Sequence, residues 1–292
     1  MQRRFSLSEG LSVGSIPVSK RGASMREGGA ILVVIDGCRG DAIRAAKTPN
    51  LNELTARGSH TFQALTVRPS TTLPVHFSIF SSLPPELHGV EDNEERPCPR
   101  PAVHTIVQRA REEGLRTCAF YNWEHLRELS PPGTLDHAVF MDNARDPDGD
   151  GRIAKAAGDY LTQARPRFAF VYLGCLDEIG HRRGFMSPAY LEGLGRADEA
   201  LGILLDVLEQ ACLLQRYHFV VQSDHGGAGR DHRRDCPEVT TVPWIAAGPD
   251  ILRGRRIRGP VSVLDTAPTL ARMLGIPPHS SWKGRVVDEI FA

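Results

Sequence analysis

The chain has 292 residues, enough for one large α/β domain or two ordinary ones, and its 35 Lys plus Arg balance its 35 Asp plus Glu. That neutrality excludes a general electrostatic pull toward nucleic acid or an anionic membrane, so any anion must be bound locally. No run approaches the roughly 18 apolar residues of a membrane span, and the start lacks a signal peptide's apolar stretch. Six scattered cysteines (Cys38, Cys98, Cys118, Cys175, Cys212, Cys236) contain no Cys-x-x-Cys pair, so the expectation is a cytoplasmic protein with reduced thiols.

Residues 1–28 are rich in Ser, Gly and Arg without periodicity and read as an irregular arm; residues 29–292 read as a single domain. Short apolar runs alternate with helical stretches from Ala30 onward, which predicts an α/β fold with a mostly parallel central sheet and helices on both faces. The strands expected are Ala30 to Ile35, Phe62 to Val67, Arg116 to Phe120, Phe168 to Leu173, His218 to Gln222 and Trp244 to Ala247. The helices expected are Asn50 to Ala56, Pro74 to Ser81, Val103 to Glu112, Ile153 to Ala164, Pro188 to Leu213, and Thr266 to Leu274 with Asp265 as N-cap. The proline-rich stretch Arg96 to Pro101 reads as a surface loop.

Four segments carry metal-type ligands at the ends of predicted strands, where ligands gather in open α/β sheets. ILVVIDG ends a buried strand in Asp36, which taken alone serves equally as a turn cap. In PSTTLPVHF, Thr72 stands at the start of a helix, where free N–H groups attract phosphate; on its own, the Ser70, Thr71, Thr72 run reads first as a cap. Asp177 and His181 lie four apart and share a face if the segment after Leu173 turns helical, as a metal pair or a surface ion pair. VVQSDHGG ends in adjacent Asp224 and His225 on a glycine turn, and His232 follows in a loop.

In this order and spacing the residues resemble the alkaline phosphatase superfamily, and within it the nucleotide pyrophosphatase and phosphodiesterase branch, from about Ala30 to the C-terminus. Thr-Leu-Pro-Val-His, LPPELHGVEDN and IAAGP are similar to phrases of that branch, and YNWEHLREL with the short loop from His225 to His232 is similar to its compact bacterial members. The resemblance implies one metal held by Asp36, Thr72, Asp224 and His225 and another by Asp177, His181 and His232. Both are usually zinc, and Mn²⁺ or Fe²⁺ would tolerate the same donors. It further implies Thr72 as the nucleophile forming a phosphothreonine, with the Asn93 amide and the helix amides at Thr72 and Leu73 donating to the phosphoryl oxygens. Implied substrates are small phosphate esters or nucleotide-like molecules, most of all diesters, with no nucleic-acid polymer and no membrane. Val75 and Ala228 depart from the family pattern.

Two alternatives stay open. A phosphomonoesterase or phosphonate hydrolase would use the same metals and needs an added cationic contact, for which Arg68 and Arg182 stand near in sequence. A non-catalytic metal- or nucleotide-binding module is the other. DPDGDGRIAKAA resembles the start of an EF-hand loop, but its twelfth position is Ala157, so it reads as a turn with Asp150 capping the next helix. The run Arg253 to Arg258 reads as a solvated loop, and Tyr121 and Trp123 as core or pocket lining.

Overall fold

The structure, a computed structural model, describes residues 28–93, 97–100 and 103–292. The N-terminal arm expected over residues 1–28 therefore lies outside the described residues except for Gly28, as do residues 96 and 101 at the ends of the proline-rich loop.

In chain order the elements are β1 (Gly29–Ile35), α1 (Ala42–Ala45), α2 (Pro49–Arg57), β2 (Ser59–Leu65), α3 (Thr72–Ser81), α4 (Pro85–His88), α5 (Ile106–Glu112), β3 (Thr117–Tyr121) and β4 (His137–Phe140). They continue with α6 (Gly149–Ala164), β5 (Phe168–Leu173), α7 (Cys175–Arg183), α8 (Pro188–Gln210), β6 (Tyr217–Gln222), α9 (Pro237–Thr240), β7 (Thr241–Ala247), β8 (Arg255–Arg256) and α10 (Thr266–Leu274). The strands form one sheet in the order β4-β3-β5-β1-β6-β7-β2-β8. Only β7 runs against its neighbours β6 and β2; the other pairings are parallel. The α/β class and the mostly parallel sheet are as expected.

The central strand shows why. In β1 every residue is buried, and the period of two splits them between faces: Ala30, Leu32 and Val34 join the core under α3, α5 and α10, while Ile31, Val33 and Ile35 join the core under α2, α6 and α8. A strand apolar on both faces needs a helical layer on each side.

Several details differ from expectation: the short helices α1, α4 and α9 were not foreseen, and α5, α6 and β7 start at Ile106, Gly149 and Thr241. Strand β2 begins at Ser59, three residues early, because Gly58 lets the chain pass under the Ala246 carbonyl, where a Cβ would sit 2.0 Å from the oxygen. Strands β4 and β8 were not foreseen: the first is half exposed on an edge, the second is two residues long inside the basic run. Asp265 is the N-cap residue of α10, as expected, but its side chain makes no cap hydrogen bond. Its carboxylate turns back to accept from Ser262 N at 2.9 Å and Arg285 N at 2.8 Å. Asp150 lies inside the first turn of α6, after Asp148, and its buried carboxylate faces Asn122 and Cys175 instead of its own helix.

The order β3-β5-β1-β6 sets four carboxyl ends side by side. The residues that follow them are Asn122, Gly174, Asp36 and Ser223-Asp224, while the segment after β2 returns Thr72 to the same edge. No helix among the described residues is long and apolar enough to cross a membrane.

Candidate active site

Asp36 leaves β1 buried, one oxygen accepting from the Tyr172 hydroxyl of β5. Asp224, fully buried after β6, accepts through Oδ1 from Gly37 N at 3.2 Å and His225 N at 2.9 Å. The segment after Leu173 does turn helical, so Asp177 and His181 sit one turn apart on α7, His181 Nε2 3.2 Å from Asp177 Oδ2. Asp36, Asp177 and His225 offer ligand atoms within 4.8 Å of one another, and so do Asp177, His181 and His232. Asp177 belongs to both groups, so the carboxylates form one continuous cluster instead of two separate sets.

Each histidine of the cluster gives its Nδ1 proton to a backbone carbonyl: His181 to Arg230 at 2.8 Å, His225 to Gly226 at 2.9 Å, His232 to Ser70 at 2.7 Å. A neutral imidazole donating from Nδ1 has a bare lone pair on Nε2. His225 Nε2 lies 3.3 Å from Asp36 Oδ1 and 3.4 Å from Asp224 Oδ2, lone pair against lone pair. Asp36 Oδ1, Asp177 Oδ1 and Asp224 Oδ2 are buried and have no hydrogen bond among the described residues. Buried acceptors facing buried acceptors are costly unless a cation lies between them. The donor set therefore fits divalent ions, with the second partner of each imidazole already in place.

The electrostatics carry the same strain. Burial, then the negative fields of Asp224 and Asp177, push the Asp36 carboxyl well above the usual carboxylate range. Burial pushes Asp177 up too, but the His181 hydrogen bond and the fields of His225 and His232 outweigh it and hold it low. His181, hydrogen-bonded to Asp177, is pushed up to about 9, while burial and the neighbouring His225 lower His232 to about 4.

Thr72 is the first residue of α3, not a residue before it, and none of the Ser-Thr-Thr run caps the helix through its side chain. Ser70 Oγ donates to the His232 carbonyl, and Thr72 Oγ1 lies 3.3 Å from His225 Nε2, only 5% of the residue being exposed. His76 Nδ1, one turn on, donates to the Thr72 carbonyl at 2.7 Å. The Leu73 amide is not free for a ligand as expected: it donates to Asn93 Oδ1 at 2.8 Å. That bond identifies the oxygen of the Asn93 amide and leaves its NH₂ free to donate.

A cleft of about 290 Å³ borders Ser70 and Thr71, lined also by Arg68, Glu91, Asp92, Arg233 and Arg234. A larger one, about 910 Å³, opens along Arg255, Arg256 and Arg258 at the β8 edge and touches none of the ligand cluster. Arg68 lines the smaller cleft and is paired with Asp235, and Arg182 Nε donates to the Glu178 carbonyl. Val75 is buried in the core beneath α3, and Tyr121 packs in the same core; Trp123 lies partly against it, stacked on His125 at 4.5 Å. Ala228 opens a tight turn closed by Asp231.

Two residues the sequence did not single out matter here. Tyr172 is the donor to Asp36. Gly37 has φ +67°, and a Cβ on it would lie 2.9 Å from Asp177 Oδ1 and 3.2 Å from Asp177 Cα. Gly37→Ala is expected to cost about 1–3 kcal/mol through the strained backbone and to weaken ion binding by about tenfold by displacing Asp177. Thermal melts and a zinc titration check it; a variant with parental values in both would show that this approach is unimportant.

Residues 30–236 match the model of the type I phosphodiesterase / nucleotide pyrophosphatase family. Ectonucleotide pyrophosphatase/phosphodiesterase family member 3 of Rattus norvegicus is 27% identical over 216 residues, which are 67% of this chain and 24% of that protein. Venom phosphodiesterase 2 of Crotalus adamanteus is 25% identical over 224 residues, 70% of this chain and 27% of that protein. The chain thus spans about a quarter of the length of the curated relatives it matches. Among solved structures, murine ectonucleotide pyrophosphatase/phosphodiesterase 5, an inactive threonine-to-alanine variant in complex with AMP, matches with a TM-score of 0.78 at 15% identity, over 91% of this chain and 100% of that one. A phosphonate monoester hydrolase from Silicibacter pomeroyi matches at 0.69 and 14%, over 89% and 76%. At these identities the likeness establishes an alkaline phosphatase-like fold.

Proposed function

Because the chain belongs to the type I phosphodiesterase / nucleotide pyrophosphatase family, we propose that it is a metal-dependent hydrolase of phosphate esters, acting on diester or pyrophosphate bonds through a phosphothreonine on Thr72. The observation that carries this is His225 Nε2, which lies 3.3 Å from the Thr72 hydroxyl and 3.3 Å from Asp36 Oδ1, in a cluster whose buried carboxylate oxygens have no hydrogen-bond partner among the described residues. Asp36, Thr72, Asp224 and His225 would hold one ion, and Asp177, His181 and His232 a second. Histidine and carboxylate donors in these numbers suit zinc. When bound, such ions supply charge stabilisation at the phosphoryl group and lower the pKa of the attacking hydroxyl.

The chain's own groups then divide the work. Thr72 Oγ1 attacks phosphorus, forming an Oγ1–P bond as the bond to the leaving oxygen breaks; water later cleaves the Oγ1–P bond and restores the hydroxyl. The first turn of α3, tied down by His76, holds Oγ1 at the cluster. Asn93, oriented by the Leu73 amide, directs its NH₂ to a phosphoryl oxygen as a preorganised donor.

Metal analysis with paired assays on aryl phosphate monoesters and diesters tests the proposal. Two ions with faster diester cleavage support it; two ions without turnover would leave a binding module. A proton count adds a check. His181 must be neutral to ligate, yet in the metal-free protein it is held protonated up to about pH 9 by Asp177. Affinity for the ion at Asp177, His181 and His232 should therefore rise by up to about tenfold per pH unit from neutrality and level off near that value. Calorimetry in buffers of different ionisation enthalpy reads the released proton; pH-independent affinity over this window would sink the assignment of His181.

A further inference from the structure

Helix α7 carries Asp177 and His181, so whatever fixes its first turn fixes what those side chains can reach. Its N-cap position is Gly174, which has no side chain to satisfy the orphan amides of the first turn. Nor is there room for one: a Cβ at Gly174 would lie 2.7 Å from a ring carbon of Tyr172 and 2.8 Å from Asn122 Oδ1. Two of the leading amides are met from two other elements. Gly174 N donates to Asn122 Oδ1 at 3.0 Å, and Cys175 N to Asp150 Oδ1 at 3.3 Å. Asn122 Nδ2 donates to the same Asp150 oxygen at 2.9 Å, which closes the triangle. Asn122 follows β3 and Asp150 lies in the first turn of α6, and both are almost fully buried. The glycine-rich acidic motif that resembles a calcium loop thus delivers one carboxylate inward to the start of α7, where a negative charge also suits the helix dipole.

We propose that Asn122 and Asp150 are positioning residues of the metal centre, capping α7 from outside so that Asp177 and His181 are presented at the depth the ion requires. The inference rests on the two-ion reading given above. Packing ties it to the rest of the cluster, because Tyr172, whose ring fills the space at Gly174, is the residue that donates to Asp36.

Stepwise zinc titration of the full chain against a chromophoric chelator tests it, with His181→Ala marking the step that belongs to α7, since His181 stands in only one of the two ligand groups. Asn122→Ala and Asp150→Ala should weaken that step by about 10–100-fold and leave the other within a few-fold. Asp150→Asn keeps an acceptor oxygen for Asn122 Nδ2 and Cys175 N and should return the step to within a few-fold of the parent. Both steps unchanged, or both weakened alike, would overturn the proposal, the second result marking a merely structural role. Should Asp150→Ala not fold by circular dichroism, Asn122→Ala decides alone. A parent chain that takes up fewer than two ions would end the two-ion reading and this inference with it, whereas two ions bound with parental affinity in Asn122→Ala and Asp150→Ala would end only this one.

Discussion

Thr72→Ala is expected to bind metal and fold as the parent does while hydrolysing phosphate esters about 10⁴-fold or more slowly, the scale of nucleophile deletions. Folding should survive because the side chain makes no helix cap and, among the described residues, its hydroxyl bonds to His225 alone; alanine at a first helical position costs little. Ion binding should largely survive because Asp36, Asp224 and His225 remain. What vanishes is the oxygen proposed to form the covalent bond. Thr72→Ser keeps that atom and should recover most of the loss. Acid quenching during turnover, followed by mass spectrometry of the peptide containing residue 72, should find a phosphoryl adduct in the parent and in the serine variant and none in the alanine variant. A metal-loaded Thr72→Ala protein working at the parental rate would end the nucleophile assignment.

The parts of this centre legible in the chain are those fixed by local rules. Asp36 and Asp224 close apolar strands, and a parallel sheet presents such residues at one edge, so their convergence follows from the alternation of strands and helices. The pair Asp177 and His181 follows from helical spacing. Thr72 was ambiguous for a physical reason: a hydroxyl at a helix start is a cap by default, and only the absence of a cap bond together with His225 beside it separates the readings. What stayed hidden is long-range. Tyr172 meets Asp36 across 136 residues, Asn122 meets Asp150 across 28 and Gly174 across 52, and no period or motif encodes such pairings. Gly37 was not singled out, because that Asp177 packs against it depends on how β1 and β5 align. The occupied Leu73 amide was missed similarly, because Asn93 reaches it from a loop beyond α4.

Asp224→Asn should do opposite things to stability with and without metal. In the parent without ions, three buried carboxylate oxygens crowd together unpartnered, and the Asp36 carboxyl is pushed up first by burial and then by Asp224. A carboxyl whose folded pKa exceeds its unfolded one destabilises the native state as pH rises past the unfolded value, 3.8 here, and the penalty grows until the folded value is passed. The metal-free parent should therefore gain stability from this group on acidification from neutrality toward pH 5. Asp177, held low, contributes in the opposite direction, but its share fades only below the usual carboxylate range. The asparagine keeps Oδ1 as acceptor for Gly37 N and His225 N and replaces the unpartnered oxygen with a donor beside Asp36. With chelator at neutral pH it should melt above the parent, by about 2–4 °C for each kcal/mol of repulsion relieved, and should gain less on acidification. With zinc the order reverses, since a ligand charge is lost, and turnover should fall by about 10³-fold or more, the several kcal/mol a bound ion supplies. Melts of both proteins at two pH values, with zinc and with chelator, measure all four quantities. A metal-free Asp224→Asn protein that melts below its parent at neutral pH would mean that the carboxylate cluster is not under the repulsion that makes it a cation site.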